Sequence, residues 1–170
     1  MLAVPKRAVS FGMIALAVSI SAALSAMPCV GAAGTIVGTA SVIDADTIEI
    51  HGTRIRLNAI DAIESRQRCT LPSGRRWNCG KDAAFALADW IGRSPVDCDV
   101  VDIDRYGRSV AKCRLRGEDI GEWLVSHGWA VAYRRYGLDY VGAEDRARAA
   151  GRGIWASEFV MPWDWRKGVR

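Results

Sequence analysis

The sequence predicts a mixed α+β domain, mainly β-structure with packed helices. Two stretches that alternate between apolar and polar residues are each interrupted by a tight-turn sequence, at His51-Gly52 and at Arg105-Tyr106-Gly107, which is typical of β-hairpins. A third stretch, residues 81–91, places apolar residues on one stripe at helical spacing. Half of the 170 residues are hydrophobic and a quarter are charged, so the chain can form one globular domain with a core.

The first strands lie before position 58. Alternating and β-branched residues over 35–50 predict strands that are interrupted near Asp44–Asp46. His51-Gly52 then predicts a two-residue turn into a strand over 53–57. The pairs that face each other across this turn are Ile48 with Ile55 and Glu49 with Arg54.

The second hairpin joins strands over 97–104 and 108–115. Residues that face each other across its turn have sequence numbers with a constant sum. The opposite charges of Asp99 and Lys112, which face each other in this register, favour it. The expected pairs are Cys98 with Cys113, Asp99 with Lys112, Val100 with Ala111, and Asp102 with Ser109. This register brings two sulfurs within range and predicts the disulfide Cys98–Cys113. If Cys29 is removed with an N-terminal leader, the remaining two cysteines predict the disulfide Cys69–Cys79.

Loops and helices occupy the rest of the chain. Residues 65–80 form a loop, and the helix over 81–91 stops at Gly92. Asp119 caps a short helix, and a further helix runs from about 140 to 150. The tail carries two tryptophans that we expect to pin it onto the barrel, Trp163 and Trp165.

The first 33 residues have the order of a secretory signal peptide. Lys6 and Arg7 precede an apolar run over about 8–26, and small residues follow it. The run is short and diluted by serine and glycine, which disfavours an uncleaved anchor. We therefore expect residues 1–33 to be a signal peptide and 34–170 the mature domain, secreted or periplasmic, without stable membrane insertion after cleavage.

Removal of the leader changes the net charge of the chain, and export would place its cysteines in an oxidising compartment. Lys6 and Arg7 are the charged residues of the leader, so its loss takes the net charge from +4 to +2. That charge is too small for generic adsorption to nucleic acid, so any phosphate site must be local. Most of the remaining cations are arginines, which bind phosphate through paired donors.

Several mechanisms are excluded by the absence of their motifs. The chain has no G-x-S-x-G elbow, H-E-x-x-H helix or Walker loop, and His51 and His127 are too few for a two-histidine ribonuclease with a spare partner. The sequence instead offers hard oxygen ligands, a spare carboxylate and guanidinium groups, the parts needed to hydrolyse a phosphodiester with a divalent ion. They lie in three segments: Asp44-Ala45-Asp46-Thr47, Arg56 with Asp61-Ala62-Ile63-Glu64, and Asp104-Arg105-Tyr106-Gly107-Arg108.

In order and spacing, these segments resemble the staphylococcal nuclease (thermonuclease) family over about 35–167. Two C-terminal stretches, Gly151 to Trp155 and Pro162 to Arg166, resemble the ending of exported bacterial members. The resemblance implies an OB-fold, a five-stranded β-barrel with about three packed α-helices. It also implies an endonuclease that hydrolyses DNA and RNA with Ca²⁺ and leaves 3′-phosphates. We further expect a monomer that acts mainly on single-stranded or frayed nucleic acid.

The resemblance also implies a role for individual residues. Asp46, Asp61 and the Ala62 carbonyl would bind Ca²⁺, which takes about 6–8 oxygens and so leaves room for phosphate and water. Glu64 would be the general base. Phosphate and nucleotide contacts would come from Arg56 and Arg108, which hold the scissile phosphate, and from Arg105, Tyr106 and Tyr133, which contact the flanking nucleotide.

Two substitutions and one geometric conflict stand against this assignment. Ile63 replaces a usual proline, which would loosen the turn that aims Glu64, and Ala45 replaces a common glycine, which would strain a turn of positive φ. Simple alternation also places Asp46 and Arg56 on opposite faces of the first hairpin. A bulge or a strand end near Asp46 would remove that conflict.

Two other functions remain open on sequence grounds. The chain could be an OB module that binds single strands or protein partners in the cell envelope without cutting, or an envelope or polysaccharide-associated protein with incidental nuclease activity. Degenerate modules lose their acidic and arginine positions, whereas this chain keeps them, which favours the enzyme. The positions kept are Asp46, Arg56, Asp61, Glu64 and Arg108.

Export makes a direct prediction about the mature protein. Mass spectrometry of protein recovered from the medium or periplasm should show the loss of roughly 25–33 N-terminal residues, as signal processing requires. Recovery of the full-length chain in the membrane fraction would contradict it.

Overall fold

A five-stranded closed β-barrel is the centre of the structure, a computed structural model that describes Met1 and residues 34–170. The predicted signal peptide therefore lies outside the described residues, apart from its first. The five strands pair in the order Thr53–Leu57, Thr47–Ile50, Thr35–Asp44, Pro95–Ile103 and Ser109–Leu115. The last of them also pairs in parallel with the first, which closes the barrel. The predicted five-stranded OB-fold barrel with packed helices is confirmed.

The elements follow one another closely along the chain. The strands are β1 Thr35–Asp44, β2 Thr47–Ile50, β3 Thr53–Leu57, β4 Ile60–Ala62, β5 Cys69–Thr70, β6 Arg76–Trp77, β7 Pro95–Ile103, β8 Ser109–Leu115, β9 Glu118–Asp119 and β10 Ala130–Ala132. The helices are α1 Cys79–Ile91, α2 Ile120–Ser126, α3 Val141–Ala149 and α4 Pro162–Arg166, with a 3₁₀ turn at Gly153–Ala156. Within the described residues, no helix is both long enough and apolar enough to cross a membrane.

The first hairpin has the register that the sequence predicts. Ile48 faces Ile55 and Glu49 faces Arg54 across β2 and β3. His51 and Gly52 both have positive φ, 51° and 77°, as a two-residue hairpin turn that matches the strand twist requires.

The second hairpin follows the predicted register only as far as its middle. Cys98, Asp99 and Val100 face their predicted partners, but the register shifts between Val100 and Asp102. The predicted pair of Asp102 with Ser109 is therefore wrong. Strict alternation leaves no place for an extra residue, whereas the strand accommodates one here as a bulge. The pairs beyond the shift are Asp102 with Val110 and Ile103 with Ser109.

Both predicted disulfides are present. Cys98–Cys113 joins β7 to β8 with both cysteines buried, and Cys69–Cys79 closes the loop before α1 with a Cα–Cα distance of 5.7 Å. Helix α1 begins at Cys79, two residues before the predicted start, so its first turn is tied to β5.

The later helices agree with the sequence analysis. The Asp119 carboxylate accepts a hydrogen bond from the Glu122 amide at 2.9 Å and caps α2. Helix α3 lies within the predicted range of 140–150. In the tail, Trp163 stacks on Tyr133 with ring centroids 5.7 Å apart, whereas Trp165 contacts Arg170.

Two apolar clusters hold these elements together. The larger one fills the barrel, where side chains from β2 and β3 such as Ile48 and Ile55 meet Leu87 of α1 and Leu124 of α2. The smaller one lies between the disulfide loop and the C-terminal segment. Its buried members are Ile63, Cys69, Cys79, Val131 and Ile154. The second cluster fixes the segment that carries Glu64.

Candidate active site

A turn between β1 and β2 brings Asp46 to Arg56. The β1–β2 register shifts between Val42 and Asp44, β1 ends at Asp44, and Thr47 then pairs with Arg56. Asp46 therefore lies outside the strand alternation, and its Oδ2 is 2.9 Å from Arg56 Nη1. Simple alternation placed Asp46 and Arg56 on opposite faces of the hairpin. Because β1 ends before Asp46, that conflict does not arise.

Arg56 links two buried carboxylates. Its Nη1 contacts Asp46, and its Nη2 donates to Asp61 Oδ1 at 3.0 Å. Asp61 is fully buried and the Asp46 side chain is 10% exposed. Burial acts to lower the pKa of Arg56, but the charges of Asp46 and Asp61 outweigh it and hold the pKa above its usual value. The guanidinium therefore stays charged between the two acids.

Strand β4 supplies Asp61 and Ala62. It begins after Ala59, whose φ of 57° turns the chain back from β3, and it pairs with β10. The Ala62 amide donates to Asp46 Oδ2 at 3.3 Å, so the two segments meet directly. Ala45 is buried and is not among the positive-φ residues, so the strain expected from an alanine there is absent.

The Glu64 carboxylate is held by a residue to which the sequence analysis gave no role. Arg166 of α4 donates from Nη1 to Glu64 Oε1 at 2.6 Å, and it contacts both oxygens of Asp61 at 3.0 and 2.6 Å. Burial acts to lower the pKa of Arg166, but its hydrogen bonds with Asp61 and Glu64 raise it above its usual value. The only sequence signal for this residue was its place in the C-terminal stretch that resembles exported family members.

The backbone of Glu64 is fixed from two sides. Its carbonyl accepts a hydrogen bond from the Gln67 amide at 2.7 Å, and Gly80 of α1 packs directly against it. Ile63 is 1% exposed and belongs to the smaller apolar cluster. The turn is therefore anchored by burial of Ile63, without the proline that the resemblance led us to expect.

A second loop presents basic and aromatic side chains. The Asp104 carboxylate accepts from the amides of Tyr106 and Arg108 at 2.9 and 3.0 Å, and from Arg108 Nε at 2.7 Å. Burial acts to raise the pKa of Asp104, but these hydrogen bonds outweigh it and hold the pKa below its usual value. Tyr106 is 68% exposed and lies under the Arg105 guanidinium.

The two halves of the site meet because the barrel closes. Strand β3 pairs with β8 so that Ile55 faces Ser109, which sets Arg108 beside the strand that carries Arg56. Both arginines line a cavity of about 610 Å³. The other predicted site residues that line it are Asp46, Ala62, Glu64, Arg105, Tyr106 and Tyr133, whereas Asp61 lies buried beneath it. Arg135, Tyr136 and Arg166 also line the cavity and were not predicted as site residues.

The donor set fits a hard divalent cation bound by few protein ligands. Across residues 34–170, no three acidic, histidine or cysteine side chains converge as a ready metal cluster. Asp46 Oδ1 accepts one hydrogen bond, from Thr47, and Asp61 Oδ2 accepts one, from Arg166. Because a carboxylate oxygen has two lone pairs, each acid keeps one for a cation. Water and substrate oxygens would complete the shell of such a calcium site.

Comparison with known proteins agrees with this geometry. The family model described as staphylococcal nuclease homologue matches residues 54–157. The succinoglycan biosynthesis protein ExoI of Rhizobium meliloti (strain 1021) is 44% identical over 132 residues, which cover 75% of this chain and 69% of that protein.

Two further relatives carry nuclease names. The micrococcal nuclease of Shigella flexneri is 31% identical over 147 residues, covering 76% of this chain and 79% of that protein. A probable staphylococcal-like nuclease of rice (Oryza sativa subsp. japonica) is 35% identical over 128 residues, covering 74% of this chain. The chain spans only 32% of the rice protein, which is therefore much longer than the region they share.

The contact between Gly80 and Glu64 predicts a large effect of one methyl group. A Cβ at position 80 would lie 1.8 Å from the Glu64 carbonyl oxygen, a backbone atom that cannot rotate away. Gly80→Ala should therefore lower the free energy of unfolding by about 2–3 kcal/mol, the scale of overpacking in a well-filled site.

A helical glycine with space around it provides the matched control. At Gly142 of α3 the nearest atom to an added Cβ is the Arg146 Nη1 at 3.4 Å, the end of a flexible side chain. Gly142→Ala should leave stability unchanged or raise it by up to about 1 kcal/mol through helix propensity. Urea unfolding measures both variants, and equal stability of Gly80→Ala and wild type would contradict the close packing.

Proposed function

The chain belongs to the staphylococcal nuclease homologue family, and we propose that it is an exported, calcium-dependent nuclease that hydrolyses DNA and RNA to 3′-phosphate products. The observation that carries the proposal is the meeting of the Asp46 and Glu64 carboxylates with Arg56 and Arg108 at one cavity, where Arg56 also binds the buried carboxylate of Asp61. The combination suits phosphodiester hydrolysis, since the acids bind a cation and a water while the guanidinium groups bind phosphate.

The cation would be held by Asp46, Asp61 and the Ala62 carbonyl. When bound, Ca²⁺ would supply a Lewis acid that polarises a phosphoryl oxygen. Hard oxygen donors suit this ion, and the small number of protein ligands favours weak binding, on the order of 10⁻⁴–10⁻³ M as in extracellular calcium modules.

Glu64 would accept the proton of the attacking water. Its Oε1 receives a hydrogen bond from Arg166, and no hydrogen bond to Oε2 is present among the described residues. The carboxylate therefore keeps a free acceptor at the cavity, where a general base must reach water.

Arg56 and Arg108 would bind the phosphate with the donors that their carboxylate partners leave free. Each guanidinium has five N–H groups, and Arg108 uses its Nε and Nη2 on Asp104. The remaining donors can stabilise charge that develops on the phosphate in the transition state. Because Asp104 holds Arg108 in place, little reorganisation accompanies that contact.

Arg105, Tyr106 and Tyr133 would contact the nucleotide beside the scissile phosphate. Exposed Tyr106 offers a ring for a base to stack on, which requires an unpaired base and supports a single-stranded or frayed substrate. Tyr133 stacks on Trp163 and makes a T-shaped contact with Tyr136, so two aromatic neighbours orient its ring at the cavity.

Export is supported by the order of basic, apolar and small residues before position 34 and by the two disulfides. The proposed arrangement is a leader over 1–33 and a monomeric nuclease domain over 34–170. The same barrel could instead bind single strands or envelope proteins without cutting them. The printed name of the Rhizobium relative concerns succinoglycan biosynthesis, and a polysaccharide-associated role would leave the chemistry of this site unchanged.

Calcium dependence is tested by cleavage with and without a chelator. The purified protein should degrade single-stranded DNA and RNA with Ca²⁺, lose activity in excess chelator and regain it when Ca²⁺ is restored. Asp46→Asn should weaken Ca²⁺ binding measured by calorimetry roughly tenfold or more, because a charged ligand is lost. Exposed Asp145→Asn is the control and should bind as wild type. Undiminished cleavage in chelator would remove calcium from the proposal.

Two substitutions test the chemistry separately from binding. Arg108→Lys should keep the charge but lose the paired donors, and turnover should fall roughly 10²–10³-fold, the scale of one preorganised donor. Glu64→Gln should lower turnover roughly 10²–10⁴-fold, because the amide cannot take a proton from water. Oligonucleotide binding in chelator should change little in both.

The barrel offers matched controls for both variants. Arg114 pairs with Asp99 outside the cavity, and Glu118 is exposed in β9. Arg114→Lys and Glu118→Gln should turn over as wild type. If folded Arg108→Lys and Glu64→Gln also do so, the assigned residues are wrong. If wild type binds single strands but cleaves none, the non-catalytic OB module is the better description.

A further inference from the structure

Arg166 contacts two acids of the proposed site, Asp61 and Glu64, although the proposed function assigns it no role. Its two Nη atoms bind both oxygens of Asp61, and the same Nη1 also binds Glu64 Oε1. Asp61 is fully buried, while the Arg166 side chain is 41% exposed at the cavity rim. The guanidinium thus joins the fully buried carboxylate of Asp61 to the partly exposed carboxylate of Glu64, for which the described residues provide no other hydrogen bond or ion pair.

The C-terminal segment holds Arg166 in place. Trp163 stacks on Tyr133, and the segment before α4 adds a short bridge to β5, where Thr70 and Glu158 exchange amide hydrogen bonds at 3.0 and 2.8 Å. Trp77 Nε1 donates to Ser157 Oγ at 2.9 Å. Because β5 and β6 belong to the loop closed by the disulfide Cys69–Cys79, the C-terminal segment packs on a loop that a covalent bond holds in place.

The contacts of Arg166 differ in what they leave free. On Glu64 they engage one oxygen and leave Oε2 for water, whereas on Asp61 they donate to both oxygens and occupy an acceptor lone pair on each. A fixed guanidinium charge beside Asp61 also opposes the approach of a cation to that carboxylate. The same residue would therefore aid the base and weaken the cation site.

We infer that Arg166 is a positioning residue that fixes the Glu64 carboxylate relative to Asp61 at the expense of cation affinity. The inference rests on the proposed function for the roles of Glu64 and Asp61. It adds a component from the C-terminal helix to a site otherwise built from the barrel. The tail is then part of the catalytic apparatus rather than only a cover for the apolar cluster beneath it.

This role predicts opposite changes in two measured quantities. In Arg166→Ala, Glu64 loses its restraint and turnover should fall roughly 10–100-fold, the scale of a small misplacement of a reacting group, with KM within about threefold of wild type. Calcium affinity measured by calorimetry should rise roughly 3–10-fold, because a positive neighbour of Asp61 is removed. A purely structural role would instead lower turnover, calcium affinity and thermal stability together.

Arg166→Lys separates charge from geometry. Lysine restores a positive charge but presents a point donor that cannot bind two carboxylates as a planar fork does. Calcium affinity should return toward the wild-type value while turnover stays low. Full recovery of turnover in Arg166→Lys would show that charge alone suffices and would overturn the positioning role.

Two further variants make the test specific. Lys167→Ala removes a neighbouring cation that pairs only with Asp164 among the described residues, and it should match wild type in both measurements. In a Glu64→Gln background, Arg166→Ala should lower turnover no further, because its effect passes through Glu64. An equal loss in that background would overturn the inference.

Failure of wild type to cleave with calcium would overturn the proposed function, whereas active wild type with an equally active Arg166→Ala would overturn this inference alone.

Discussion

The site depends on one ion triad, Arg56 between Asp46 and Asp61. Asp61 is fully buried, and two unpaired carboxylates at this depth would repel each other and resist folding. Removal of one partner from a buried pair of this kind costs about 3–5 kcal/mol, because the remaining charge is left uncompensated. Arg56 therefore stabilises the arrangement of acids that is proposed to bind a cation, and it keeps donors for the proposed phosphate contact. The stability of the fold and the chemistry of the site share one side chain.

Barrel closure explains why Asp46, Arg56 and the loop over 104–108 line one cavity. Strand β3 carries Arg56 and pairs on one edge with β2, which follows Asp46, and on the other with β8, which follows Arg108. The first pairing is a local hairpin, whereas the second joins strands that are distant in sequence. The disulfide Cys98–Cys113 ties β8 to β7 and so fastens the strand on which closure depends. Three separate chain segments thus meet through strand pairing across the sheet, and Asp46 adds direct contacts with Arg56 and with the Ala62 amide.

Local sequence signals predicted much of the barrel, whereas features that depend on long-range packing could not be predicted from the sequence. The His51-Gly52 turn fixed the first hairpin because its positive φ angles suit these residue types, and Asp119 marked a helix start through its cap. The shifted pair at Asp102 was missed because alternation carries no signal for a bulge. The barrel order and the assigned site residues followed from resemblance to a family. Arg166 was missed because it lies 105 residues from Asp61 in sequence and meets it only after the tail docks.

Asp46 and Asp61, held together by Arg56, are proposed to form one cation site beside the cavity that would bind phosphate. The most direct measurement is anomalous diffraction from crystals of the protein grown with millimolar Ca²⁺ and a single-stranded oligonucleotide carrying a non-hydrolysable phosphorothioate. The account predicts one cation peak within coordination distance of both carboxylates, with the phosphate beside Arg56 and Arg108. A cation bound elsewhere on the barrel, or both carboxylates engaged only by arginine while the oligonucleotide is bound, would contradict it.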